Sequence, residues 1–179
     1  MATKAATAAV LSGLSDVIAQ LIEGTAIPSL APGRCVALIL VNIFYITPLL
    51  SAMYDANEWL AADVLQLPAD TWRGSVVRLS VDQLLYAPPV IYGFFWAYGM
   101  AEAIVAWVLG GTPLIWSAIR AKLWSQIALE YRGMLVSNWK LWVAPQLLSF
   151  RLLPPALRLP FGSLVAFGWG VIQSLIINR

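Results

Sequence analysis

Arg78, Asp82 and Gln83 stand at the head of a long apolar run, RLSVDQLLYAPPVIYGFFWAYGMAE, in which no charge follows Asp82 until Glu102. Arg78 and Asp82 are one helical turn apart, so the expected arrangement is an ion pair, or a hydrogen-bonded network that also takes in Gln83 and Asp16. A second polar set lies near the N-terminus. Ser12, Asp16 and Gln20 recur every four residues and Glu23 follows at three, which puts all four on one helix face. At membrane depth such groups can line a passage for small polar solutes, or they can form a buried clasp that fixes how the third helix meets the first. The Asp16 face has one further reading, an interfacial surface on a tilted helix. Exposing an ionised side chain to lipid costs about 2.5–3.5 kcal/mol on insertion scales, so these residues need partners or water.

Other chemistry is excluded early. The 179 residues contain no histidine, which removes most metal, haem and acid–base arrangements, including serine hydrolysis with a histidine base. Cys35 is the only cysteine and has no intramolecular disulfide partner. A net charge of +2 without a basic run does not suit nucleic acid. No catalytic, cofactor-binding or metal-ligating set is expected, and the chain is read as non-enzymatic.

The elements that must position the polar residues are membrane helices. With 60% hydrophobic and 11% charged residues and a mean hydropathy of +0.77, the chain lies far from soluble domains. The expectation is one multi-pass, all-α domain over 1–179, with about four transmembrane helices near 5–23, 35–58, 78–109 and 159–178. The N-terminal stretch runs straight into Asp16, Gln20 and Glu23, unlike a cleaved signal peptide. Pro28 and Pro32 part the first helix from the second, Pro48 interrupts the second, and Pro88 and Pro89 predict a kink in the third unless neighbours satisfy the freed backbone. Gly110, Gly111 and Pro113 predict a turn. Beyond it, Arg120, Lys122, Arg132 and Lys140 interleave with Trp124, Trp139 and Trp142, the pattern of an amphipathic or re-entrant segment over 113–150 lying along the interface. That basic aromatic face either anchors depth or recognises anionic lipid.

FRLLPPALR, residues 150–158, is a proline-punctuated elbow before the last span. Along that span Gly162, Ala166, Gly170 and Ser174 form a small-residue ridge suited to close helix packing and expected to be buried, with Trp169 and Gln173 on an adjacent face. In a four-span arrangement both termini share one face, and the positive-inside rule then places Arg34, Arg120, Lys122, Arg132, Lys140, Arg151 and Arg158 toward the cytosol, matrix or stroma.

The ordered set resembles the Mpv-seventeen and peroxisomal-membrane-protein-twenty-two family over nearly the whole chain. The resemblance is carried by Asp16 and Gln20 of SDVIAQ, by Arg34, by Pro48 and Tyr54 of TPLLSAMY, and by Arg78, Asp82, Gln83 and Pro88 of RLSVDQLLYAP. It continues through Trp139, Trp142, Gln146, Phe150, Pro154, Arg158 and Trp169. The chain departs from the family pattern where Ser15 stands for glycine, Thr47 for the glycine of Gly-Pro, Ser51 for histidine, Met53 for tryptophan and Val143 for proline.

What the resemblance implies is a small four-helix protein of the mitochondrial inner or peroxisomal membrane, acting as a weakly selective, channel-like pore for small solutes; the plastid membrane is an alternative location outside that resemblance. Asp16, Gln20, Arg78, Asp82 and Gln83 would then stand beside its water-filled part. The competing expectation is a structural subunit, docked in a larger respiratory or photosynthetic complex, whose polar clasp is internal glue. Bound membrane lipid is expected in either case, alone or in a homo-oligomer. With no histidine ligand, a chlorophyll or carotenoid is expected only peripherally, and only in a photosynthetic assembly.

Overall fold

The structure is a computed structural model that describes residues 2–68, 71–153 and 155–179, with side chains described from residue 6 onward except 69, 70, 150, 154–156 and 158–160. The described residues are helical with short connections. Five helices follow one another: α1 (Ala2–Ile22), α2 (Pro32–Val64), α3 (Trp72–Gly110), α4 (Trp116–Leu152) and α5 (Pro155–Ile177). A 3₁₀ turn, Ile27–Ser29, lies between the first two.

Local sequence sets each boundary. Gly24, at φ 86°, ends α1 in the left-handed conformation that glycine adopts without a side-chain clash. Pro32 opens α2 at a position where its missing N–H has no helical partner to lose. Thr71 caps α3, its Oγ1 accepting from the Gly74 N–H at 3.1 Å. Gly111, at φ 65°, closes α3 and turns the chain into α4.

Two helices pass through prolines without ending, and each widens immediately before them. Asn42–Ile46 precedes Pro48, and Val81–Tyr86 precedes Pro88 and Pro89, as π-helical turns in which Thr47 N–H donates to Asn42 O and Ala87 N–H to Asp82 O. A proline cannot donate and its ring crowds the preceding turn, so one extra residue there opens the room it needs. A third widened turn, Trp59–Val64, ends α2.

The helices pack as antiparallel neighbours in the order α1 with α2, α2 with α3, α3 with α4 and α4 with α5, and α5 returns against α1. α3 is central. Its Ile91, Phe94, Phe95, Tyr98, Ala101 and Val105 meet Ala37, Leu38 and Val41 of α2, Met134 of α4 and Ile176 and Ile177 of α5. Phe94 stacks on Tyr98 with ring centroids 5.9 Å apart. Gly93 leaves the space that Tyr45 fills, and the Tyr45 hydroxyl donates to Val90 O at 3.2 Å. Leu123 occupies the corresponding space over Gly99.

Several amides and two charged side chains are buried, while many large apolar side chains face outward. Val10, Leu14, Phe44, Leu84, Leu85, Val108, Leu129 and Leu164 are exposed, whereas Asp16, Gln20, Arg78, Gln83 and Asn138 are buried. An apolar exterior of this extent suits lipid and would associate in water. α2 and α3 are each long and apolar enough to cross a bilayer, and α1 and α5 carry shorter apolar stretches, Ala6–Ile22 and Phe161–Ile177.

Several expectations are corrected. Residues 116–152, which take in most of the 113–150 region, form a single 37-residue helix, α4, about 55 Å long and packed antiparallel to α3. With five helices the termini lie at opposite ends of the bundle, so the basic-residue count no longer favours one side. The second and third helices are longer than expected, Pro32–Val64 and Trp72–Gly110, since each proline is accommodated by a π turn. Of the small-residue ridge, Gly170 and Ser174 pack on α1, where a Cβ on Gly170 would meet Ser15 Oγ at 2.6 Å. Gly162 faces open space, and neither it nor Ala166 is fully buried. We expect Gly93→Ala to cost about 1–3 kcal/mol by overpacking against Tyr45, read as a lower unfolding midpoint in detergent, and to cost much less in a Tyr45→Ala background.

Candidate functional site

Two polar clusters lie toward opposite ends of the bundle. The first is built on Asp16, which has no exposed surface. Its Oδ1 accepts from Ser174 Oγ of α5 at 2.6 Å and from Arg34 Nε of α2 at 3.2 Å. Its Oδ2 accepts from Gln20 Nε2 at 2.7 Å and from the Cys35 thiol at 2.9 Å. Gln20 sits one turn beyond Asp16, and helical side chains lean toward the N-terminus, so the amide reaches back to the carboxylate. The other end of that amide accepts from Ala31 N–H at 2.7 Å and holds the entry to α2. Arg34 completes the set with Glu23 at 2.6 Å and Ser174 Oγ at 3.1 Å.

Of this face Ser12, Asp16 and Gln20 are buried and Glu23 is exposed. Asp16 and its partners form a closed node joining α1, α2 and α5, in which the carboxylate charge is matched by a guanidinium. Nearby, Tyr98 of α3 donates to Asn178 Oδ1 at 2.8 Å, and Asn178 Nδ2 donates to Ser174 O at 2.9 Å.

The second cluster joins α2, α3 and α4. Asp82 Oδ2 accepts from Gln83 Nε2 at 2.7 Å and from Gln146 Nε2 at 2.8 Å. Gln83 also donates to Gln146 Oε1 at 2.9 Å and accepts from Asn138 Nδ2 at 3.0 Å. The widened turn explains a further bond. Ala87 N–H is committed to Asp82 O, and the next residue able to serve Gln83 O is Pro88, which has no N–H. The Trp139 indole takes that carbonyl at 2.9 Å, and the Tyr131 hydroxyl donates to Pro88 O at 3.2 Å. α4 thus supplies donors to backbone that α3 leaves open.

Arg78 does not pair with Asp82. Its guanidinium reaches back toward its own N-terminal turn and across to α2, giving Nε to Glu58 Oε2 at 2.8 Å, Nη2 to Glu58 Oε1 at 2.7 Å and Nη1 to Leu67 O at 3.1 Å. An arginine four residues before an acid leans away from it, which is why the one-turn spacing misleads. Nor does Asp16 join this network, so the clasp ties the third helix to the second and fourth rather than to the first. A cavity of about 110 Å³ opens beside it, lined by Tyr54, Asn57, Glu58, Arg78, Asp82 and Gln146. Asn57, Glu58 and Asn138 were not singled out by spacing. In sequence Glu58 is one of three acids, with Asp55 and Asp63, at the end of the second helix, and a lone asparagine in an aromatic helix carries no periodic signal.

Of the remaining residues the sequence singled out, Tyr54 is half exposed at the cavity rim. Trp142 and Trp169 are half-buried, and Trp169 packs against the core. Pro154 and the side chains of Phe150 and Arg158 lie outside the described residues. Among the described residues there is no group of three or more Cys, Asp or Glu placed to hold a metal ion.

A helical bundle with buried polar groups, many exposed apolar side chains and two helices long and apolar enough to cross a bilayer has the make-up of a membrane protein. Residues 113–174, which hold α4 and most of α5, match the Mpv17 / PMP22 family model. The chain is 30% identical over 178 residues to PXMP2/4 family protein 3 of Dictyostelium discoideum, covering 99% of this chain and 84% of that protein. It is 27% identical to the mitochondrial inner membrane protein Mpv17 of Drosophila melanogaster, over 92% of this chain and 88% of that protein. It is 25% identical to peroxisomal membrane protein 2 of Bos taurus, over 93% and 78%. The chain belongs to the Mpv17 / PMP22 family, whose named relatives are proteins of organelle membranes. No solved structure matches it.

Breaking the Asp16 node takes one partner from the half-buried Arg34 guanidinium and leaves the Gln20 amide, the Cys35 thiol and the Ser174 hydroxyl without their acceptor. Asp16→Ala is expected to cost about 3–5 kcal/mol, and Asp16→Ala with Arg34→Met clearly less than the sum of the single changes, measured by unfolding in detergent.

Proposed function

We propose that the protein gives small polar solutes a path through an organelle membrane, and that the path runs beside the Asp82 cluster. The observation that carries this reading is the cavity between α2, α3 and α4, where Arg78, Glu58, Asp82, Asn57, Tyr54 and Gln146 present charged and hydrogen-bonding groups to a space within an apolar-coated bundle. Water and small solutes have hydrogen-bonding partners there. The Asp16 node plays a different part in this reading: all four of its bonds are internal, so it holds the bundle together. α2 and α3 cross the bilayer, with α1 and α5 standing alongside and α4 covering the open backbone of α3. No catalytic step is assigned, and lipid is the only bound molecule the reading calls for. The mitochondrial inner membrane comes first as the location, in line with the names of several relatives, followed by the peroxisomal and then the plastid membrane.

A second reading, a structural subunit of a larger membrane assembly or of a homo-oligomer, draws support from Arg132. This residue is exposed near the middle of α4, where lipid solvates a charge poorly and a neighbouring chain could cover it. Pigment in such an assembly would be peripheral.

The passage reading is tested in planar bilayers with the purified full chain. Asp82→Asn keeps an acceptor for Gln83 and Gln146 while removing the charge, and it is expected to change unit conductance or cation-to-anion selectivity about twofold or more, with Asp16→Asn serving as a control at the closed node. Wild-type currents from Asp82→Asn, or no currents from wild type, would sink the passage reading. A stable stoichiometric complex with unrelated chains in mild detergent would favour the subunit.

A further inference from the structure

The Asp82 cavity carries two unmet demands of the same sign. Asn57 is 6% exposed and lines the cavity. Its Nδ2 donates to Arg78 O at 2.9 Å, which fixes the amide orientation because a carbonyl accepts only from the NH₂ end. Asn57 Oδ1 is then a buried acceptor with no hydrogen-bond partner among the described residues. Such an orphan ordinarily costs about 1–3 kcal/mol.

The second demand is electrostatic. Arg78 and Glu58 neutralise one another through a two-bond contact, whereas Asp82 is held by two neutral amides, Gln83 and Gln146. Both amides bond to Oδ2, so Oδ1 is left without a hydrogen bond to the described residues. Asp82, with a formal negative charge, and Asn57, with an unpartnered amide oxygen, therefore line the same small space together with Tyr54. Only one charge needs balancing and three metal-ligating residues are not gathered there, so the site does not suit a divalent ion.

We propose that this cavity binds one compact monovalent cation, an alkali ion or the head of a primary ammonium, with Asn57 Oδ1 and Asp82 Oδ1 as its protein oxygens. Either source supplies the single positive charge that the cluster lacks, together with a partner for the orphan acceptor. The proposal deepens the passage reading and rests on it for the exposure of the cavity to solutes, though binding and conduction are separate measurements.

The test uses the full-length protein in detergent micelles at constant ionic strength, with N-methylglucamine chloride replaced stepwise by sodium, potassium or methylammonium chloride. A ligand that binds only the folded state raises the unfolding midpoint in a saturable way. A saturable rise is expected with at least one of these cations, sodium or potassium marking the alkali source and methylammonium the ammonium source, and the apparent affinity should fall tenfold or more in Asp82→Asn. Asn57→Leu should weaken it as well, and Asp82→Asn decides the matter should that variant not fold. A midpoint indifferent to all three cations, or equally responsive in Asp82→Asn, would overturn the proposal and leave a water molecule or a protonated carboxyl at Asp82. Bilayer currents without cation-dependent stabilisation would remove the site and keep the passage. Stabilisation without currents would do the reverse.

Discussion

Asp16 is the constraint on which the bundle depends. A carboxylate without solvent contact is tolerated only when its charge is matched and its oxygens are occupied, and here the partners come from α1, α2 and α5 together. Arg34 cannot turn away without stranding Asp16, and Gln20 cannot turn away without releasing the start of α2. In lipid, apolar contact alone barely distinguishes one helix arrangement from another, because the acyl chains are as apolar as leucine. A saturated polar node makes that distinction, since any other packing leaves a charge unpaired. The small residues on α5 serve the same end: Gly170 allows Ser15 to approach, and Ser15 Oγ donates to Phe167 O at 3.0 Å.

The Asp82 cluster solves a different problem. Prolines in α2 and α3 remove backbone donors partway along each helix. The fold answers with widened turns and with donors from neighbouring helices, Tyr45 to Val90 O, Tyr131 to Pro88 O and Trp139 to Gln83 O. Two of these three come from α4, which explains how a helix with six charged residues is held along its length against the apolar α3. What is left incompletely served beside it, Asn57 and one oxygen of Asp82, borders a cavity. The contrast between a filled node at one end and an unfilled one at the other separates the part that maintains the fold from the part assigned to function.

Much of this was legible in the residues. Helical class, the shared face of Asp16 and Gln20, and the turn at Gly111 follow from apolar run length, four-residue spacing and glycine chemistry. Pairing was less so. Spacing along one helix could not reveal that Arg78 is served by Glu58 of α2, because that contact depends on how two helices align across the bundle. Spacing also ignores side-chain lean, which favours Gln20 reaching back to Asp16 and disfavours Arg78 reaching forward to Asp82. The 113–150 region is a related case: its interleaved charges and tryptophans give no sign that Trp139 and Asn138 bond to Gln83 of α3. No pattern within that segment announces a carbonyl orphaned more than fifty residues earlier.

The widened turn at Val81–Tyr86 has one more consequence. A residue inserted into a helical spiral advances everything after it by nearly a third of a revolution, so the two halves of α3 are set at independent azimuths, like two gears joined by an adjustable collar. The lower half can aim Arg78 at the α2 connection while the upper half aims Phe94 and Tyr98 at the core. A strict 3.6-residue wheel drawn through all of α3 therefore blurs two sharply defined faces into one diffuse apolar surface.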